Sequence, residues 1–163
     1  MPDRTEPGPN QESVWDYPRP PALEATDRRI RVMFNGTTIV DTTGAYRVLE
    51  TSHPPVYYCP PGAIAGGVLH DAGRASHCEF KGRARYYDVV VGERRAPQAA
   101  WAYSSPTSRF EVIAGYVAFY ALPMDACYVD NEQVDAQKGS FYGGWITSDV
   151  VGPFKGGSGT IGW

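Results

Sequence analysis

Apolar and polar positions along this chain alternate in short runs, and no long window shows apolar residues recurring at helical spacing. Residues 30–34 set the pattern: Ile30, Val32 and Phe34 alternate with Arg31 and Met33, the period-two signature of a strand. Asn35-Gly36 follows, a pair suited to the two positive-φ positions of a type I′ turn, and residues 37–40 run out as the second arm of a hairpin. After the turn signal Asp41-Thr42-Thr43-Gly44, residues 46–50 read as a third strand, with Arg47 and Leu49 on one face and Tyr46, Val48 and Glu50 on the other. Residues 56–59 make a short aromatic strand bracketed by Pro54-Pro55 and Pro60-Pro61. Proline has no N–H to give a ladder, so this strand belongs at an edge or is of limited length.

Further along, Ile64, Val68 and Leu69 sit roughly one helical turn apart, which predicts a single turn between residues 62 and 69. Gly66-Gly67 takes about 2 kcal/mol of helix propensity from it. A second hairpin joins residues 77–80 to residues 83–91 about Lys81-Gly82, and both faces of its long arm carry apolar groups, which makes that arm central. Residues 93–97 read as a turn, residues 99–103 and 116–120 as strands, and Asp130-Asn131-Glu132 as a tight turn between residues 127–129 and 133–134. The expected fold class is all-β, mainly antiparallel: a barrel or a folded pair of sheets. Residues 1–11, proline-rich and without apolar periodicity, are expected to be a disordered tail before the domain of residues 12–137, in which Trp15 and Tyr17 anchor an extended lead-in. Residues 138–163 are rich in glycine, with aromatic pegs at Phe141, Tyr142, Trp145, Phe154 and Trp163, and read as a wrap over the surface.

Composition sharpens this picture. At 163 residues the chain can build one sizeable core, and its 18 Gly, 14 Pro and 13% aromatic content suit strands and turns. A formal charge of -3 supplies no global field to draw in nucleic acid or an anionic membrane, so neither is an expected partner. The clusters Arg28-Arg29-Arg31, Arg83-Arg85 and Arg94-Arg95 read as solvated strand ends. No apolar run reaches bilayer-spanning length and the first residues lack a leader pattern, so the expected location is cytoplasmic. Cys59, Cys78 and Cys127 are odd in number and lack C-x-x-C spacing, which argues against a disulfide framework and against a zinc knuckle.

Several stretches together form a signature: Ser13-Val14-Trp15-Asp16-Tyr17-Pro18-Arg19-Pro20, Leu49-Glu50-Thr51-Ser52, Cys78-x-x-Lys81-Gly82-x-Ala84-x-Tyr86-Tyr87, Gly143-Gly144-Trp145 and Gly152-Pro153-Phe154-Lys155-Gly156. With these the chain closely resembles the family known as domain of unknown function 427. The resemblance implies a β-tent-like architecture, in which two antiparallel sheets meet at an angle over a concave, aromatic-lined space. Zinc-holding knuckles occur in proteins of that architecture; this sequence has none, and no metal or cofactor is expected. The family has also carried a nucleotidyltransferase label, but the chain has no D-x-D pair and no phosphate-cradling loop for such chemistry. The glycines Gly157, Gly159 and Gly162 match a dinucleotide fingerprint only in letters, because no helix N-terminus follows to receive a pyrophosphate.

Seven residues are candidates for function. Tyr58, Tyr86 and Tyr103, with Trp101, come from strands expected to be neighbours and either fill core or wall a pocket for a small planar or cationic ligand. Glu50 forms an ion pair with Arg47 or Lys81, or serves as a general base. Lys81, beside the Gly82 amide, is either a solvated turn residue or the anchor for an anionic group. Cys78 is a small buried hydrophobe or a reactive thiol; its neighbour His77 points to the opposite face of a regular strand and cannot activate it. The expected function is small-molecule binding by a monomer or weak homodimer. The alternatives are a small-substrate enzyme using Glu50, Lys81 or Cys78, and a protein-interaction domain presenting an exposed patch around Trp145 and Phe154.

Overall fold

The computed structural model describes residues 2–139 and 141–163, so Met1 of the expected tail and Ser140 of the expected wrap lie outside it. Among the described residues, no helix is long and apolar enough to cross a membrane. The strands are β1 (Glu12–Ser13), β2 (Ala22–Ala25), β3 (Ile30–Phe34), β4 (Thr37–Thr42), β5 (Tyr46–Leu49), β6 (Val56–Tyr58), β7 (Leu69–Cys78), β8 (Gly82–Val91), β9 (Arg94–Ala102) and β10 (Val117–Phe119). Five short ones complete the set: β11 (Ala126–Val129), β12 (Glu132–Gln133), β13 (Asp135–Ala136), β14 (Trp145–Ile146) and β15 (Val150–Val151). Short 3-10 turns at Val14–Asp16, Pro61–Ala63 and Ser108–Ile113 provide the helical content of this all-β fold.

Three antiparallel sheets carry the architecture, in the orders β10-β9-β8-β7, β2-β5-β6 and β12-β11-β3-β4. Cys59, just past β6, bridges antiparallel to Val117 in β10, with N–H···O distances of 2.8 and 2.9 Å in the two directions. That bridge joins the first two sheets edge to edge, giving the β-tent-like pair, and the third sheet backs them. Side-chain alternation then divides the joined pair into two faces. Tyr57, Cys59, Val89, Ala100, Ala102, Val117 and Phe119 pack with Ile30, Val32, Phe34, Val40, Cys127 and Val129 of the backing sheet into the main core. The other face collects Val48, Tyr58, Ala84, Tyr86, Trp101, Tyr103 and Ala118, roofed by Phe110 and Ile113.

The first hairpin forms as its sequence dictates, with Asn35 and Gly36 at φ 49 and 72. Two expectations need correcting. The helical turn lies at Pro61–Ala63, because the residues after it extend: Ala65 N–H donates to Ile39 O at 2.8 Å and Leu69 already opens β7. The expected turn over residues 93–97 is instead a tight turn with Gly92 at φ 60, and β9 runs on through Pro97. Proline is tolerated there because the β8–β9 register shifts between Tyr87 and Val89 and Gln98 takes φ 50, a bulge that asks no ladder N–H of it.

Both termini fold onto this frame. β1 pairs in parallel with β15, Thr5 N–H donates to Gly152 O at 3.0 Å, and Trp15 and Tyr17 are buried with Val14, Leu49 and Val150 in a third cluster. Arg47 is the polar hub there, 2.5 Å from Glu12 and 2.7 Å from Glu24.

Candidate functional site

A cavity of about 290 Å³ opens on the aromatic face of the joined sheets, and all seven sequence-nominated residues line it: Glu50, Tyr58, Cys78, Lys81, Tyr86, Trp101 and Tyr103. Strand pairing brings them there. Tyr86 of β8 stands opposite Trp101 of β9, Cys78 of β7 opposite Gly82, and Tyr58 reaches in from the neighbouring sheet. Because Trp101 and Tyr103 are two residues apart on an extended backbone, both point to the same face.

The floor is tightly built. Trp101 Nε1–H donates to the Tyr58 hydroxyl at 3.2 Å, with the two rings edge to face at 6.3 Å, and Tyr103 lies 6.2 Å from Tyr58. Tyr86 shares a hydrogen bond of 2.9 Å with Ser76, while Tyr120 packs 4.7 Å from Trp101 and donates to Phe141 O at 2.8 Å. Burial raises the pKa values of Tyr58 and Tyr103, reinforced at Tyr103 by the neighbouring Tyr58, so these two phenols stay neutral at physiological pH. Burial also pushes Tyr120 up to about 12.

Chemistry at the mouth comes largely from residues the sequence did not single out. His53 packs against Tyr142 at 5.2 Å and lines the cavity with Lys155 and Gln137. Gln137 fixes the imidazole tautomer. Its Oε1 accepts from Gly144 N–H at 3.0 Å, which leaves Nε2 to donate to Lys155 O at 2.6 Å and to His53 Nδ1 at 3.2 Å. A neutral His53 therefore carries its proton on Nε2, 3.8 Å from Glu50 Oε2. Burial, outweighing the attraction of Glu50 and aided by Lys155, Arg19 and Lys81, pulls the imidazole down to about 4, so it is neutral at pH 7.

Glu50 is paired, but not as expected: its partner is Arg19 at 3.6 Å, because Arg47 is taken by Glu12 and Glu24. Among the described residues, no ion pair includes Lys81 or Lys155. Lys155 Nζ donates to the Trp163 main-chain oxygen at 3.1 Å and lies 5.7 Å from the Tyr142 ring. Cys78 is half-buried and His77 exposed, and both border the cavity.

Glycines close the site from the C-terminal segment. A β-carbon on Gly143 would overlap Trp101 Cη2 and stand 2.8 Å from Cζ3, so only glycine lets this backbone lie on the indole. Gly144 is equally confined: a β-carbon there would stand 2.5 Å from Pro54 O.

The family model described as domain of unknown function (DUF427) matches residues 22–130. The chain belongs to the DUF427 family. All seven nominated residues fall inside that match, whereas Gln137, Tyr142, Gly143 and Lys155 of this DUF427 chain lie beyond it. The family model also bears a nucleotidyltransferase label; among the described residues, no group of three or more His, Cys, Asp or Glu side chains is placed to hold a metal ion. No curated protein matches the chain.

Proposed function

We propose that this DUF427 chain is a small-molecule binding domain whose site is the aromatic cavity on the joined sheets. The observation that carries the reading is convergence: four aromatic walls and three polar or thiol groups from five separate segments line one cavity. A volume of about 290 Å³ lies at the small end of ordinary ligand sites, enough for a compact molecule. Residues 12–137 supply the floor and most of the walls, and residues 138–163 close the site with Phe141, Tyr142, Gly143 and Lys155. The domain acts in the cytoplasm as a monomer or weak homodimer and needs no metal or cofactor to bind.

A second reading, a small-substrate enzyme, draws support from Glu50, Lys81 and Cys78 all lining the same cavity. Two features count against it. Glu50 is engaged by Arg19, and the Nε2 of His53 that faces Glu50 is already protonated, so it offers a donor instead of a base. The interaction-domain reading loses its patch: Trp145 is 1% exposed and donates to Phe119 O at 2.9 Å, and Phe154 packs half-buried in the third cluster.

Native mass spectrometry of the protein purified from its own host tests the proposal. A stoichiometric small molecule should be present and should be lost in Cys78→Phe, which fills the cavity from its rim without removing a wall. A bound molecule that persists in Cys78→Phe would place binding elsewhere.

A further inference from the structure

The cavity has two chemically distinct ends, and their difference bears on what it holds. At the floor, Tyr58, Tyr86, Trp101 and Tyr103 are each at most 7% exposed and offer ring faces and edges. Tyr58 and Tyr86 have their hydroxyls committed within the protein, to Trp101 and Ser76. Such a surface favours a flat, apolar body over a hydroxyl-rich one, which would leave its own polar groups without partners.

The mouth is a different matter. Of its charged groups, Glu50 is balanced by Arg19, Glu79 is exposed to solvent and Lys155 is held by the Trp163 main-chain oxygen, while Lys81 has no Asp or Glu carboxylate at salt-bridge distance among the described residues. The Lys155 ammonium is engaged by the Trp163 main-chain oxygen at 3.1 Å and lies 5.7 Å from the Tyr142 ring, so Lys81 is the cation left to meet a ligand. His53 adds a neutral Nε2–H whose position is set by Gln137. Among the described residues, the mouth thus presents one cation without a carboxylate partner, Lys81, and one fixed donor. A cationic head would meet like charge there, and an anionic head would find partners.

We propose that the ligand is a one- or two-ring planar aromatic acid, its ring among Tyr58, Tyr86, Trp101 and Tyr103 and its anionic group at the mouth facing Lys81 and the His53 Nε2–H. The inference rests on the cavity being a binding site and goes beyond it in assigning charge. It reverses the cationic alternative that the aromatic residues alone left open.

A matched pair of probes separates the two claims: 2-naphthoate and 2-naphthamide, which share a ring system and differ in charge. Both are titrated against the full chain at low salt and followed by saturation-transfer NMR. Naphthoate should bind about tenfold more tightly than the amide, the scale of one charge-assisted contact. Lys81→Met should bring naphthoate to within about twofold of the amide, and Cys78→Phe should abolish the binding of both. A thermal melt of each variant confirms that it is folded. Equal affinity for the two probes in the wild type, or no response of naphthoate to Lys81→Met, would overturn the anionic assignment while leaving the cavity reading intact. No binding of either probe, or binding indifferent to Cys78→Phe, would overturn both.

Discussion

Replacing Gly143 with Ala asks one methyl group to occupy space that Trp101 already fills. Gly143 does not have a positive φ, so the backbone itself accepts alanine and only space opposes it. The backbone cannot withdraw. Its neighbour Gly144 is confined by Pro54 O and donates to Gln137 at 3.0 Å, and Trp145 N–H is tied to Pro55 O at 2.8 Å. Trp101 must therefore yield. Overpacking of this kind costs about 1–3 kcal/mol, and the Trp101–Tyr58 hydrogen bond adds about 0.5–1.5 kcal/mol if it breaks. The expected loss is about 2–4 kcal/mol, equivalent to about 4–16 °C in Tm for a domain of this size. Urea unfolding monitored by tryptophan fluorescence measures it directly. The double variant with Trp101→Phe should be less destabilised than the sum of the singles, since phenylalanine lacks the outer ring atoms that collide, with a coupling of about 1–3 kcal/mol. A Gly143→Ala protein within about 0.5 kcal/mol of wild type, or a coupling near zero, would refute the packing argument.

Other outcomes follow from the same geometry. His53 should remain neutral down to about pH 4, so its ring proton shift should not move between pH 8 and pH 5 in an NMR titration. Because the folded imidazole titrates below its ordinary 6.5, the unfolded chain binds the proton first and stability should fall as pH drops from 6.5 towards 4; His53→Gln should remove that component from a set of urea midpoints. Glu12 is raised by burial but held down more strongly by hydrogen bonds from Arg47 and Tyr17, so its contribution to stability is full above 4.5 and lost as pH falls below that value. Glu12→Gln should flatten the acid limb there. Burial pushes Cys59 up to about 12 and raises Cys127 as well, so iodoacetamide should label the native protein once, at half-buried Cys78, as read by intact mass and peptide mapping. Naphthoate should protect that thiol.

Local chemistry made much of the fold legible. The Asn35-Gly36 hairpin, the central position of β8 and the edge position of β6 each follow from a turn pair, an alternation or flanking prolines. What escaped depends on contacts distant in sequence. The first half of β7 is not legible in the sequence, because none of its positions is fully buried and a register shift between Asp71 and Ala75 breaks its alternation. β1, β14 and β15 are two residues each and exist because the termini pair with each other and with β13; no local propensity announces them.

The site divides the same way. Its floor was readable because strand alternation puts Tyr86, Trp101 and Tyr103 on one face once the hairpins are placed. Its mouth was not, because His53 lies in a proline-flanked loop and meets Gln137 and Lys155 only through the returning C-terminal segment. The one available signal was Gly143-Gly144-Trp145: adjacent glycines before a tryptophan, in a segment with little alternation, mark a close approach of backbone to something large. That something is Trp101.

The cavity reading meets its most direct test in the indole signals of Trp101. Protein labelled with ¹⁵N at its 4 tryptophans gives one side-chain N–H signal each, and Trp101→Phe identifies the relevant one. Titration with the low-molecular-mass fraction of an extract from the native host should shift the Trp101 signal while Trp145, buried in the main core, stays still. An extract that leaves Trp101 unmoved, or moves only the signals of Trp15 and Trp163 in the third cluster, would contradict the account.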